Sequence, residues 1–180
     1  MGKGAGRQRR GFALKRLIGS VAVLALACGG LVAAAPAAHA ANFTVNDAGD
    51  GDTGGCDGES CTLREAVEAA ETNSEPDNIE IASGINPALT QALSITITTQ
   101  VTITGQGAAT TTIDGGDNQR IFVITEDGNL TIEDVALTGG LAPDGTFGGG
   151  VGGGGGGVFN SGTLHITSST LSGNSAGNGG

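Results

Sequence analysis

The chain has 180 residues, 35 of them Gly, with no Trp or Tyr, five Phe and a formal charge of −10. Six of its eight basic residues precede Leu17, while all eighteen Asp and Glu lie between Asp47 and Asp144. From Ala41 onward the formal charge is therefore −16, which excludes nucleic acid and anionic lipid as partners and admits acidic sugars only through bridging cations.

Residues 1–40 read as a secretory signal. Lys3, Arg7, Arg9, Arg10, Lys15 and Arg16 form a basic start, an apolar run extends from Leu17 to about Ala35, and Ala38-His39-Ala40 is an A-x-A cleavage site. That site favours removal over retention as an anchor. Arg9-Arg10-Gly11-Phe12 matches a twin-arginine signal only in part, and Ala25 stands where a lipobox before Cys28 wants Leu. The chain is therefore expected to be secreted or displayed at the cell surface, with no membrane span once the signal is gone.

Residues 41–78 form an N-terminal cap region. It opens with a short alternating strand at Phe43 and Val45, followed by an acidic glycine loop. Asp47, Asp50, Asp52, Asp57 and Glu59 offer the oxygen ligands that Ca²⁺ takes. An EF-hand counted from Asp50 puts Gly54 at position five and Cys61 at position twelve, so that motif fails. A solvated polar turn is the simpler reading, and no cofactor is expected. Cys56 and Cys61 are the pair left after signal removal, and an oxidising compartment favours a disulfide between them. Two thiols with no nearby His make a poor zinc set.

A helix follows from Thr62. Thr62 and Glu65 stand at capping-box spacing, Leu63, Val67 and Ala70 form an apolar stripe, Arg64 and Glu68 are placed to pair on the solvent side, and Asn73 is a stop signal. Beyond a turn at Glu75-Pro76-Asp77-Asn78, residues 79–180 change pattern. IEI, LSITIT, VTITG, TTTID, RIFVI, NLTIED and VALTGG each alternate apolar residues at spacing two and end in Gly, Asp or Asn. LTIEDVALTGG from Leu130 aligns with LHITSSTLSGN from Leu164, matching Leu130, Ile132, Leu137 and Gly139 to Leu164, Ile166, Leu171 and Gly173. A glycine-rich insertion at about 141–162 separates them. Such small repeats, with few hairpin turns between them, favour a parallel β-helix over an antiparallel sandwich. The expected fold is all-β, a right-handed parallel β-helix (solenoid) with one short N-terminal capping α-helix and an incomplete C-terminal end.

At Cys61-Thr62-Leu63-Arg64-Glu65-Ala66 the sequence resembles the CSLREA-domain family of exported bacterial proteins, with Thr for the usual Ser. FTVNDAGDGD before it and PDNIEIASGI after it are similar to that family's opening. GGGVFNSGTLHITSSTLSGNSA is similar to the repeats of polymorphic outer-membrane proteins, with Leu171 in place of Phe. The resemblance implies an exported or surface β-helix protein and supplies no reaction. In that frame the helix is a cap. A β-helix exposes an apolar cross-section at each end, and the stripe of Leu63, Val67 and Ala70 would cover the first, with the disulfide fixing where the helix starts.

Catalytic chemistry finds little support. Glycoside hydrolysis needs two carboxylates across a cleft, and Asp114, Asp117, Glu133, Asp134 and Asp144 are abundant without forming a constellation. A lyase would want a base and a cation, and only Arg64 and Arg120 remain. His165, between Leu164 and Ile166, should face outward. The Gly run 148–157 has no Lys and is no phosphate loop. Asn160, Asn174 and Asn178 are placed for turn ladders. The expected role is structural, adhesive or interactive, with cell-surface or extracellular macromolecules, polysaccharide among them, as partners and self-association through an open C-terminal rung. The alternative is a carbohydrate-active enzyme whose catalytic rungs lie outside this chain.

Overall fold

The structure, a computed structural model, describes residues 39–51, 55–56, 59–144 and 154–177. The alternating segments form short strands with one face in and one face out. They are β1 (Asn42–Val45), β2 (Asp77–Ile81), β3 (Ile95–Ile97), β4 (Gln100–Thr104), β5 (Thr112–Asp114) and β6 (Phe122–Ile124). After these come β7 (Asn129–Glu133), β8 (Ala136–Thr138), β9 (Val158–Asn160), β10 (Thr163–Thr167) and β11 (Thr170–Leu171). The single helix among the described residues, α1, spans Leu63–Ala70.

Every strand pairing is parallel. The large sheet runs β1-β2-β4-β7-β10, the second β11-β8-β5 and the third β3-β6-β9. Register in the large sheet stacks like on like. Phe43, Ile79, Ile103, Ile132 and Ile166 form one inward column, with Val101, Leu130 and Leu164 in a second. Ile103, Ile132, Val101 and Leu130 are fully buried. The second sheet adds Ile113 and Leu137, and the third adds Ile95, Ile97, Phe122 and Ile124. Each fully buried aliphatic side chain contributes roughly 1.5–3 kcal/mol, so the core is built by stacking short strands, none of which buries a face alone.

The aligned repeats coincide with this register: Leu164 pairs with Leu130, Ile166 with Ile132 and Leu171 with Leu137. The turns repeat as well. Asp134 and Ser168 both take positive φ, 56° and 50°, and Gly139 and Gly173 take 63° and 65°. Left-handed backbone of this kind costs a non-glycine residue energy, and here the surrounding strand pairs hold it.

The fold expectation needs correction. The described residues form three separate small parallel sheets and one short helix, and no single right-handed solenoid is shown. The sheets hold five, three and three strands, and β1 has no partner strand in the second or third sheet. Strands of two to five residues end at turns before they can merge, which spacing-two alternation alone does not reveal. A second correction concerns the glycine-rich stretch 141–162. Val158–Asn160 is not loop but strand β9, paired with β6; residues 145–153 lie outside the described residues.

The helix begins as expected. The Thr62 hydroxyl accepts from the Glu65 N–H at 3.3 Å, and the Thr62 N–H donates to the Glu65 carboxylate at 2.9 Å, completing the capping box. Its C-cap is Glu71 rather than Asn73. Leu63, Ala66, Val67 and Ala70 are buried, and α1 packs against β1, β2 and β3. Val67→Asp should therefore lower unfolding free energy by about 3–5 kcal/mol, since it forces an unpaired carboxylate into the core. Denaturant melts check this, and unchanged stability would remove α1 from its covering role.

Candidate functional site

The most elaborate polar arrangement lies where α1 meets the acidic loop. Arg64 does not pair with Glu68 at the solvent. It is buried, and its Nε donates to Asp50 Oδ1 at 2.7 Å while a terminal nitrogen donates to Asp50 Oδ2 at 3.1 Å. The same nitrogen donates to the Leu93 carbonyl at 2.8 Å. Asp50 Oδ2 also accepts from the Thr90 and Gln91 N–H groups at 2.9 and 2.8 Å. One buried carboxylate thus ties the loop, the helix and the 90–93 turn together. Helix periodicity placed Arg64 on the outer side; Asp50, fourteen residues earlier, draws it in.

Two further carboxylates here, Asp47 and Glu65, are also engaged. Asp47 accepts from the Gly49 N–H and the Ser60 hydroxyl, and these two bonds hold its carboxyl below the usual carboxylate range. Glu65 closes the capping box and accepts from the Gly55 N–H. Of the five considered for calcium, Asp50 and Asp47 are directed at protein donors, Glu59 is exposed, and Asp52 and Asp57 lie outside the described residues. Among the described residues no group of three or more His, Cys, Asp and Glu is placed to hold a metal. Cys56 and Cys61 form a disulfide, with Cα atoms 4.6 Å apart. Cys61 also anchors the segment after β1, its carbonyl accepting from the Asn46 and Asp47 N–H groups.

A cleft of about 340 Å³ runs between α1 and β3, lined by Arg64, Val67, Glu68, Glu71, Leu93 and Ile95 among others. Its charged groups are largely committed: Arg64 to Asp50, and Glu71 to the Thr98 and Thr99 N–H groups at 3.0 and 3.3 Å. Gln119, buried with neither amide atom hydrogen-bonded, borders a cleft of about 190 Å³ with Ser94, Asn118 and Arg120. Arg120 is held by the Gly155 carbonyl and lies 5.0 Å from the Phe159 ring centroid.

The remaining sequence candidates are dispersed. Asp114, the last residue of β5, and Asp117, in the turn after it, are exposed, and Glu133 and Asp134 sit on the outer side of β7 and the turn after it. His165 faces outward and is exposed, in register with Thr131. Asn160 and Asn174 make no ladder with each other. Asn160 accepts from Gly162 N–H, whereas Asn174 bridges the Gly140 N–H and the Leu137 carbonyl; Asn178 lies outside the described residues.

The strand periodicity understated the outer face of the large sheet. Asn42, Asn78, Thr102, Thr131 and His165 form one in-register column, and Thr44, Glu80, Thr104, Glu133 and Thr167 form another. Parallel strands lie about 4.8 Å apart, so this face is a ruled array of hydroxyl, amide and carboxylate groups.

Comparison with family models, curated proteins and solved structures finds no match. The resemblance at Cys61–Ala66 therefore rests on the hexamer and its flanks alone. No helix among the described residues is long and apolar enough to cross a membrane. The disulfide fits an oxidising compartment and hence an extracellular protein.

Asp50→Ala should cost about 3–5 kcal/mol, because it strands a buried guanidinium, and Asp50→Leu with Arg64→Met should recover much of that loss. Denaturant midpoints of the three variants decide it. Reducing the disulfide, which closes a loop of only five residues' separation, should cost about 2 kcal/mol on the loop-entropy model. A melt with and without reductant measures the difference.

Proposed function

We propose that the chain works outside the cytoplasm as a structural or interaction module, binding extracellular or cell-surface macromolecules through its large sheet. The observation that carries this reading is the outer face of that sheet. Two columns, five strands deep, present two Asn, five Thr, two Glu and one His, at the spacing of the strands. Such an array offers donors and acceptors in rows, and a polyhydroxylated chain laid across the strands meets a polar side chain at each step. Neutral polysaccharide fits best, since the acidity of the chain opposes polyanions.

The buried charged groups support a non-catalytic role. Asp50, Arg64 and Glu65 serve the attachment of α1, and the repeat carboxylates are spread over β5, β7 and the turns that follow them. Export follows from the basic start, apolar run and A-x-A site in residues 1–40, together with the disulfide.

Purified protein should bind neutral polysaccharide without releasing reducing ends. Thr102→Glu with Thr131→Glu, on the outer face, should weaken that binding about 10-fold or more by adding carboxylates to the array while leaving the melting temperature within a few degrees. Binding unaffected by these substitutions would reject the face as the site. Turnover of a polysaccharide would instead establish a carbohydrate-active enzyme.

A further inference from the structure

The residue before β1 points its backbone nitrogen at a buried carboxylate. Ala41 N–H donates to Asp77 Oδ1, and the Ala41 carbonyl accepts from the Asn78 N–H at 2.9 Å. The β1–β2 register, Asn42 with Asn78 and Phe43 with Ile79, fixes that approach. Asp77 is only 1% exposed. Its other oxygen accepts from Asn73 Nδ2 at 3.2 Å. One side chain thus joins the start of the cap region to the turn behind α1.

Both of these donors are neutral, and neither arginine serves Asp77. Arg64 pairs with Asp50, and Arg120 is held at the Gly155 carbonyl. A carboxylate so deeply buried is costly without a cation. The cut expected from the sequence supplies one. Ala38-His39-Ala40 places the scissile bond between Ala40 and Ala41. Hydrolysis adds water across that bond, so that Ala40 leaves as a carboxylate and the Ala41 nitrogen becomes an α-ammonium. An ordinary α-amine, with a pKa of about 8, is mostly protonated at neutral pH. His39 and Ala40 are exposed, so their removal uncovers nothing in the core.

We propose that the α-ammonium of Ala41 is the counter-ion of Asp77, so that removal of residues 1–40 creates the ion pair that fastens the cap region. In the precursor the same nitrogen is an amide and the pair is absent. The chain therefore reaches its full stability only once it has been cut. The inference rests on the export reading, through the cleavage site, and is independent of polysaccharide binding.

Lys3 and Lys15 both precede Ala41, so the cut chain holds a single primary amine, its own N-terminus. N-terminal sequencing of the exported protein comes first. A leader still attached would reject the export reading along with the proposal, whereas a cut at another residue would reject the proposal alone. With Ala41 first, acetylating the amine under denaturant and refolding with the disulfide intact should lower the melting temperature by about 5 °C or more. In Asp77→Asn the same acetylation should shift it by less than about 2 °C, because the carboxylate it would unpair is gone. In Asp127→Asn, an exposed turn residue, the full drop should remain. Should Asp77→Asn fail to fold, the unaltered protein still decides. At neutral pH its amine should react with acetic anhydride at least about 10-fold more slowly folded than unfolded, since the paired ammonium gives up its proton less readily. Acetylation without effect on the unaltered protein, an equal drop in Asp77→Asn, or equal reactivity folded and unfolded would each overturn the proposal.

Discussion

The column Phe43, Ile79, Ile103, Ile132 and Ile166 is the constraint on which the other elements depend. Among the described residues no strand exceeds five residues, so none buries enough apolar area to persist alone. Stability comes only when several strands agree on one register. A slip of one residue would turn Thr102, Thr131 and His165 inward and the isoleucines outward. The turns enforce that agreement. Asp134 and Ser168 adopt the same left-handed geometry thirty-four positions apart, as do Gly139 and Gly173, so successive segments leave their strands at the same angle.

A stack held by its column must also deal with where the column stops. At the β1 side the answer is α1, and its placement is fixed by polar contacts more than by the apolar stripe. A stripe can slide along a flat apolar surface, but the Asp50 carboxylate cannot serve Arg64, Thr90 and Gln91 together from more than one position. Buried ion pairs contribute little net stability. Here the pair determines which turn of the helix lies over which strand.

Much of this was legible locally. The capping box was explicit in Thr62 and Glu65, and the pairing of Leu130, Ile132 and Leu137 with Leu164, Ile166 and Leu171 was visible as a repeat. What could not be read was assignment to sheets. Spacing-two alternation says that a residue faces in or out, not which neighbouring strand it meets, and the expected single solenoid came out as three small sheets. Strand β9 was hidden because VFN sits in a run of glycine that looks like loop. Arg64 was misplaced for a related reason. Helix phase is a local property, whereas the pull of Asp50 is tertiary. The candidate face was invisible for the same cause, since Asn42, Asn78, Thr102, Thr131 and His165 share a column only once register is known.

The contrast between the two ends of the stack has a dynamic consequence. Opening of a folded chain proceeds where least is buried per hydrogen bond broken. At the β1 side, separation must disrupt α1, the Asp50 contacts and a covalent link between Cys56 and Cys61 together. Among the described residues, the β10 side has only one layer of short strands to lift, and Ile166 and Leu171 are already half in water. Fluctuations should thus peel the molecule from β10 and β11 toward β4, with the disulfide-clipped segment last to loosen. A protease in the surroundings would meet a fraying edge at one side and a closed one at the other, so breakdown would have a direction.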